Sequence, residues 1–208
     1  IDLKDNKQWT ALHYAASEGH VDISSMLINK GADINSETEE GESVLTAGLR
    51  LASKDVAELL LQYDVDVNKQ GAYGRTALMN AIDYHFDNIV HLLLEKDIDL
   101  ELTDSDQRTA FHHAVRHGHV DMCSVLLDKG ADINKQMHDG DTALILALKL
   151  DHDKVAKFLI QYGIDINMQT ESGKTALMFA TEYGETDLAK LLLEKEANVH
   201  TSGKYYGS

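Results

Sequence analysis

The chain has 208 residues, is 43% hydrophobic and 26% charged, as suits a folded globular protein, and carries a formal net charge of −16. That acidity argues against wholesale binding to nucleic acid or to an anionic membrane, although a local basic patch stays open. No apolar run reaches the length of a membrane helix and no signal-peptide pattern opens the chain, so no membrane span is expected.

Residues 1–9 read as the tail of a preceding repeat, because Ile1 aligns with Ile34 and Ile133. The first full unit, residues 10–35, is TALHYAASEGHVDISSMLINKGADIN. It holds two apolar runs, 11–18 and 21–30, both with helical rather than alternating spacing. Each can stop at a glycine, Gly19 and Gly31, since glycine tolerates the left-handed conformation that ends a helix. The predicted unit is helix, tight turn, helix, polar connector. It recurs with its opening Thr or Ser at Thr10, Ser43, Thr76, Thr109, Thr142 and Thr175, a step of 33 each time. A fixed period of this size signals a stacked array. Ser208 falls where a seventh Thr would stand, so the expectation is one domain over 1–208, set within a longer chain.

T-A-L-H-x-A-A, then G-H, a leucine run and G-A-D-I-N at this period together resemble the ankyrin repeat. The likeness covers the whole chain in six copies. One departure is that the family's usual Pro after the Thr is Ala11, Val44, Ala77, Ala110, Ala143 and Ala176; the first helical position favours Pro without requiring it. The resemblance implies an all-α solenoid of stacked helix-turn-helix units with hairpin-like connectors.

Core positions repeat with the unit. Leu12, Leu45, Leu78, Phe111, Leu144 and Leu177 come from the first helices; Leu27, Leu60, Leu93, Leu126, Leu159 and Leu192 come from the second. Burial of each is worth roughly 1.5–3 kcal/mol, so this ladder rather than helix propensity should hold the stack. Asp22, Asp55, Asp121 and Asp187 should complement the dipole at the start of the second helices. The stops are uneven: the first reads Gly19, Ala52, His85, Gly118, Asp151, Gly184, and the second Gly31, Asp64, Asp97, Gly130, Gly163, Glu196. A left-handed residue other than Gly costs about 1 kcal/mol. Residues 43–108, lacking Gly at both stops, are therefore expected to be the soft middle.

No catalytic signature is present: no H-E-x-x-H, G-x-S-x-G, phosphate-binding loop or dinucleotide fingerprint. No intrinsic catalysis and no cofactor are expected. Asp64-x-Asp66-x-Asn68 begins like a calcium loop, but Lys69 replaces the required Gly, and the ordinary connector is the better reading. His112, His113, His117, His119 and Cys123 form the densest candidate metal set. His112 and His119, however, stand where the family carries its own histidines, as His13 and His20 do, and four convergent ligands are not evident, so no metal is expected. Cys123 aligns with Ser24, Ala57, Val90, Ala156 and Ala189 and reads as a small packing residue. With one cysteine and no N-x-S/T sequon, the expected location is the cytoplasm, or that of a host cell if the source is a pathogen.

The resemblance implies a protein partner bound on a concave face made of connector tips and the exposed side of the first helices. Trp9, Tyr73, Arg75, Arg108 and Lys174 fall on the tips, and Arg116 on a first helix. The last position of the first helix reads Leu51, Tyr84, His117, Leu150 and Tyr183 after an initial Glu18, where the family places small polar residues. An exposed stripe of this kind marks an interaction site; the alternative is that these side chains fold back onto neighbouring helices. Tyr84 would be the central aromatic anchor. Glu37, Glu39, Glu40 and Glu42 would give the face an acidic edge. The expected function is a monomeric protein-binding module, or else the targeting arm of a larger enzyme, channel or secreted effector. The resemblance also implies possible asparagine hydroxylation at Asn35, Asn68, Asn134 and Asn167.

Overall fold

A computed structural model describes residues 1–51 and 53–200. Ala52, expected as a helix stop, and Ser208 lie outside the described residues. Among the described residues, twelve α-helices make six successive pairs: α1 (Ala11–Ser17) and α2 (Val21–Asn29), α3 (Val44–Arg50) and α4 (Lys54–Leu60), α5 (Ala77–Asp83) and α6 (Asp87–Leu94), α7 (Ala110–Arg116) and α8 (Val120–Asp128), α9 (Ala143–Lys149) and α10 (Asp153–Tyr162), and α11 (Ala176–Tyr183) and α12 (Thr186–Glu194). Extended structure among the described residues is confined to isolated antiparallel bridges in the connectors, Glu37–Ser43, Gln70–Thr76 and Gln136–Thr142.

The chain divides into two compact units, Ile1–Ser105 and one that begins at Asp106. In the first, α1, α3 and α5 stack side by side, and α2, α4 and α6 stack behind them. The second repeats this with α7, α9 and α11 in front of α8, α10 and α12. Close approach depends on small residues: an added Cβ at Gly48 would already touch Ala16 at 3.5 to 3.6 Å.

The leucine ladder is buried, with Leu12, Leu45 and Leu78 in the first unit and Phe111 and Leu144 in the second at most 1% exposed. Leu60, Leu93, Leu126, Leu159 and Leu192 are fully buried on the second helices. Leu27 and Leu177, in the outermost pairs, are only partly covered. The hydroxyls of Thr10, Ser43, Thr76, Thr142 and Thr175 accept hydrogen bonds from backbone N–H groups inside the first turn, satisfying donors that the helix itself cannot. Asp22, Asp55, Asp121 and Asp187 sit in the first turn of their helices, as expected.

The first stop is left-handed at every described copy, including His85 (φ 58°) and Asp151 (φ 59°). The second stop is left-handed at Gly31, Gly130, Gly163 and Glu196 but not at Asp64 or Asp97, contrary to the expectation of a strained stop there. These two helices end early instead. The register of α2, which ends at Asn29, would carry α4 to residue 62 and α6 to residue 95, yet they stop at Leu60 and Leu94. The chain leaves α4 through tight bonds from the N–H groups of Gln62 and Tyr63 to the carbonyls of Leu59 and Leu60, 3.2 and 3.0 Å.

Candidate functional site

The connectors are braced by one repeated device. Asn35 Oδ1 accepts the N–H of Asp66 at 2.9 Å while its amide donates to the Asp64 carbonyl; Asn68 does the same to Asp99 and Asp97. In the second unit Asn134 and Asn167 accept from Asp165 and Asn198, each at 2.8 Å. Asp33, Asp66, Asp99, Asp132 and Asp165 each accept the N–H two residues ahead. The calcium-like stretch around Asp66 is therefore the ordinary connector. Neighbouring tips are also tied directly, Glu39 N–H to Lys7 O in the first unit and His138 N–H to Asp106 O in the second.

His13 and His112 bridge turns. His13 Nδ1 accepts from Thr10 N–H, and its Nε2 lies 3.3 Å from the Glu42 carbonyl. His112 repeats this with Thr109 and the Lys135 carbonyl. With both ring nitrogens engaged, His112 has no lone pair left for a metal. Burial holds His13 below the ordinary histidine range, the nearby Glu42 carbonyl opposing it. Cys123 is fully buried and its thiol is pushed up to about 12 by desolvation. Among the described residues, Asp151, Asp153 and Glu185 bring three carboxylates within 4.8 Å of one another, the arrangement best suited to a hard cation.

In the first unit, Trp9 is half-buried, its ring 5.0 Å from Tyr14 and 5.8 Å from His13. Trp9 and Tyr14 line a hollow of about 410 Å³ with Glu39, Glu40, Glu42 and Arg50. Half of the acidic edge is spent internally, while Glu39 and Glu40 are exposed. Glu42 is buried and takes a bidentate hydrogen bond from Arg50, 2.7 and 3.0 Å, and Glu37 pairs with Lys69 at 2.5 Å. The Glu42 bond holds Arg50 above its ordinary pKa. Arg75 is likewise committed, to Asn80 at 2.8 Å and to Asp83. Tyr73 is 77% exposed in a left-handed conformation. Leu51 and Tyr84 are 44% and 43% exposed, and the Tyr84 hydroxyl donates to the Arg50 carbonyl at 2.7 Å.

In the second unit, Leu150 and Tyr183 are 40% and 48% exposed at the ends of their helices, and His117 is partly covered. Leu150 and Arg108 line a hollow of about 380 Å³ together with Asp106, His138, Asp141 and Lys149. Arg108 pairs with Asp106 at 2.9 Å, whereas Arg116 is exposed. Lys174 pairs with Glu182 at 2.7 Å and lies 5.2 Å from the centre of the Phe179 ring, which Lys149 approaches at 5.1 Å. Asp141, buried and bonded to Lys149, has its carboxyl pushed up by desolvation, and its Oδ1 accepts no hydrogen bond.

Sequence reasoning missed one recurring feature. The residue before the opening Thr or Ser pairs with the residue eight positions on in Glu42–Arg50, Arg75–Asp83, Asp141–Lys149 and Lys174–Glu182. The signal was opposite charge at two fixed places in the repeat.

A family model described as ankyrin repeats matches the chain in three copies, over residues 1–71, 52–137 and 134–202. A stretch of 40 residues is 42% identical to alpha-latrocrustotoxin-Lt1a of Latrodectus tredecimguttatus, covering 19% of this chain and 3% of the toxin. The crystal structure of an ankyrin repeat domain from Acinetobacter baumannii AYE is similar at a TM-score of 0.83 and 25% identity, over 90% of this chain and 98% of that domain. No helix among the described residues is long and apolar enough to cross a membrane. With the repeats matched along nearly its whole length and the helix pairs stacked as an all-α solenoid, the chain belongs to the ankyrin repeat family.

Proposed function

We propose that the chain is a protein-recognition module whose partner docks on the connector tips and first-helix ends, without catalysis of its own. Ankyrin repeats are in general protein-interaction modules. The observation that supports this surface is the set of half-exposed side chains at the first-helix ends, Leu51 and Tyr84 in one unit and Leu150 and Tyr183 in the other. Large apolar side chains kept in contact with water at one fixed place in four of the six repeats are what a partner would cover. Tyr84 plays a double part, since its hydroxyl also ties α5 to the end of α3. The module works as a monomer in the cytoplasm on this reading, in keeping with a lone, buried, unreactive cysteine. A second reading, a targeting arm within a larger protein, is supported by the toxin, of which the matching stretch is only 3%.

The test uses random displayed peptides selected on the whole chain. Leu150→Ala and Tyr183→Ala should each weaken the selected peptides about tenfold, while Lys157→Ala on α10 changes nothing. Peptides that lose affinity with Lys157→Ala and not with the other two would place recognition on the second helices and contradict the proposal.

A further inference from the structure

Four helix pairs share one ion pair across the first helix, and its polarity varies while its signs are always opposite: Glu42–Arg50, Arg75–Asp83, Asp141–Lys149 and Lys174–Glu182. In these four pairs the two places lie side by side. In the pair formed by α7 and α8 they are Arg108 and Arg116, so the ladder meets two cations and no acid. Arg108 turns to Asp106, itself 60% exposed, at 2.9 Å. Arg116 stays exposed at the end of α7, and its side chain makes no hydrogen bond or ion pair with any described residue; only its carbonyl is used, by His152 at 2.9 Å.

We infer that Arg116, with Arg108 beside it, receives an Asp or Glu side chain of the bound polypeptide, which supplies the acid that this rung lacks. The inference rests on the reading of the first-helix ends as the docking surface. A guanidinium offers a planar fork matched to a carboxylate, and its weak hydration makes it the cation least costly to cover. Leu150, 40% exposed in the hollow beside Arg108, gives an apolar neighbour of that acid a place to rest. The overall charge of −16 does not draw in an acidic segment from afar. Screening over roughly 8 Å at physiological salt makes the contact a short-range one that acts once the segment has docked. It therefore selects among segments: a neutral one leaves the rung unmatched, and a basic one adds a third cation.

The same selected peptides provide the probe, synthesised and titrated against the whole chain. They should carry an acid next to an apolar residue. Arg116→Ala in the chain and Glu→Gln in the peptide should each weaken binding at least about fivefold, and the two together no more than the larger alone. Arg116→Glu, which completes the rung with Arg108, should raise the melting temperature by about 1–2 °C and abolish binding of the acidic peptides. Peptides that bind Arg116→Ala as tightly as the parent, or whose Gln forms bind as well as their Glu forms, overturn the inference. If those peptides still respond to Leu150→Ala, the docking surface stands and only the carboxylate receptor falls. Peptides indifferent to both residues, or a selection that yields none, would count against both readings.

Discussion

The two units are built from the same 33-residue repeat and three helix pairs each, but they end their second helices differently. In the unit from Asp106, glycines at 130 and 163 take left-handed angles, and α8, α10 and α12 run 9, 10 and 9 residues. In Ile1–Ser105, Gly31 does the same for α2, but Asp64 and Asp97 do not turn left-handed, and α4 and α6 have 7 and 8 residues. At Asp64 and Asp97 the missing glycine is answered by a shorter helix, whereas at Glu196 it is answered by a left-handed residue and α12 keeps its nine residues. The core does not notice, since Leu60 and Leu93 are as fully buried as Leu126 and Leu159. Packing thus sets where each helix lies, and the stop sets how far it runs.

The comparison can be broken most forcefully through the core. Leu60→Ala and Leu159→Ala each remove a fully buried side chain and should cost about 2–5 kcal/mol. The chain carries a reporter for each unit: Trp9, its only tryptophan, packs by His13, and Cys123, its only cysteine, is buried in α8. Denaturant titration followed by Trp9 fluorescence and by Cys123 labelling should show each substitution lowering the midpoint of its own unit more. Equal shifts in both reporters for both variants would mean that the chain unfolds as a single block.

Acid should act next in size, through His13. Its folded-state pKa lies below the unfolded value, so its contribution to stability is complete above about 6.5 and is lost as the pH falls through the folded-state value. Protonation would aim a new Nδ1–H at the Thr10 N–H. Trp9 fluorescence should therefore report a lower denaturation midpoint in unit one as pH drops below 6.5, and His13→Gln should flatten that dependence. A midpoint as steep in the variant as in the parent would assign the acid response to another group.

The smallest effects are at the stops, where they sharpen the comparison by sign. Asp151→Gly relieves a left-handed aspartate and should stabilise by up to about 1 kcal/mol. Asp64→Gly should instead destabilise by about 0.5–1 kcal/mol, because only the unfolded chain gains freedom. Gly163→Ala should cost about 1–2 kcal/mol from backbone alone, since nothing lies within 4 Å of the added Cβ. Thermal melts of the three variants settle the order; stabilisation by Asp64→Gly would show that Asp64 does carry strain.

Much of this was readable in the sequence because it repeats. Six copies of the Thr or Ser opening, the leucine positions and the glycine stops reinforce one another, and the helices fall where the apolar spacing puts them. The behaviour of Asp64 and Asp97 was not readable, because a helix short of a left-handed stop can either strain or shorten, and only tertiary packing decides. The tips were harder for a different reason. Glu42 and Arg75 look like free surface charges in isolation, yet each is consumed by a partner eight residues on, inside the first helix. Exposed positions such as Leu150 show in sequence only as a departure from the small polar residue that the family places there. Arg116 became conspicuous once its four counterparts were seen paired.

Amide hydrogen exchange, with and without one selected peptide, tests the central claim most directly. Free, residues 43–108 should exchange faster than 109–160, following the shortened helices. With peptide, protection should rise at the tips and first-helix ends around residues 105–109, 116–118, 138–142 and 149–151, and stay unchanged in α8, α10 and α12. Protection that rises along α8 and α10 while Leu150 and Arg116 remain as exposed as before would contradict the account.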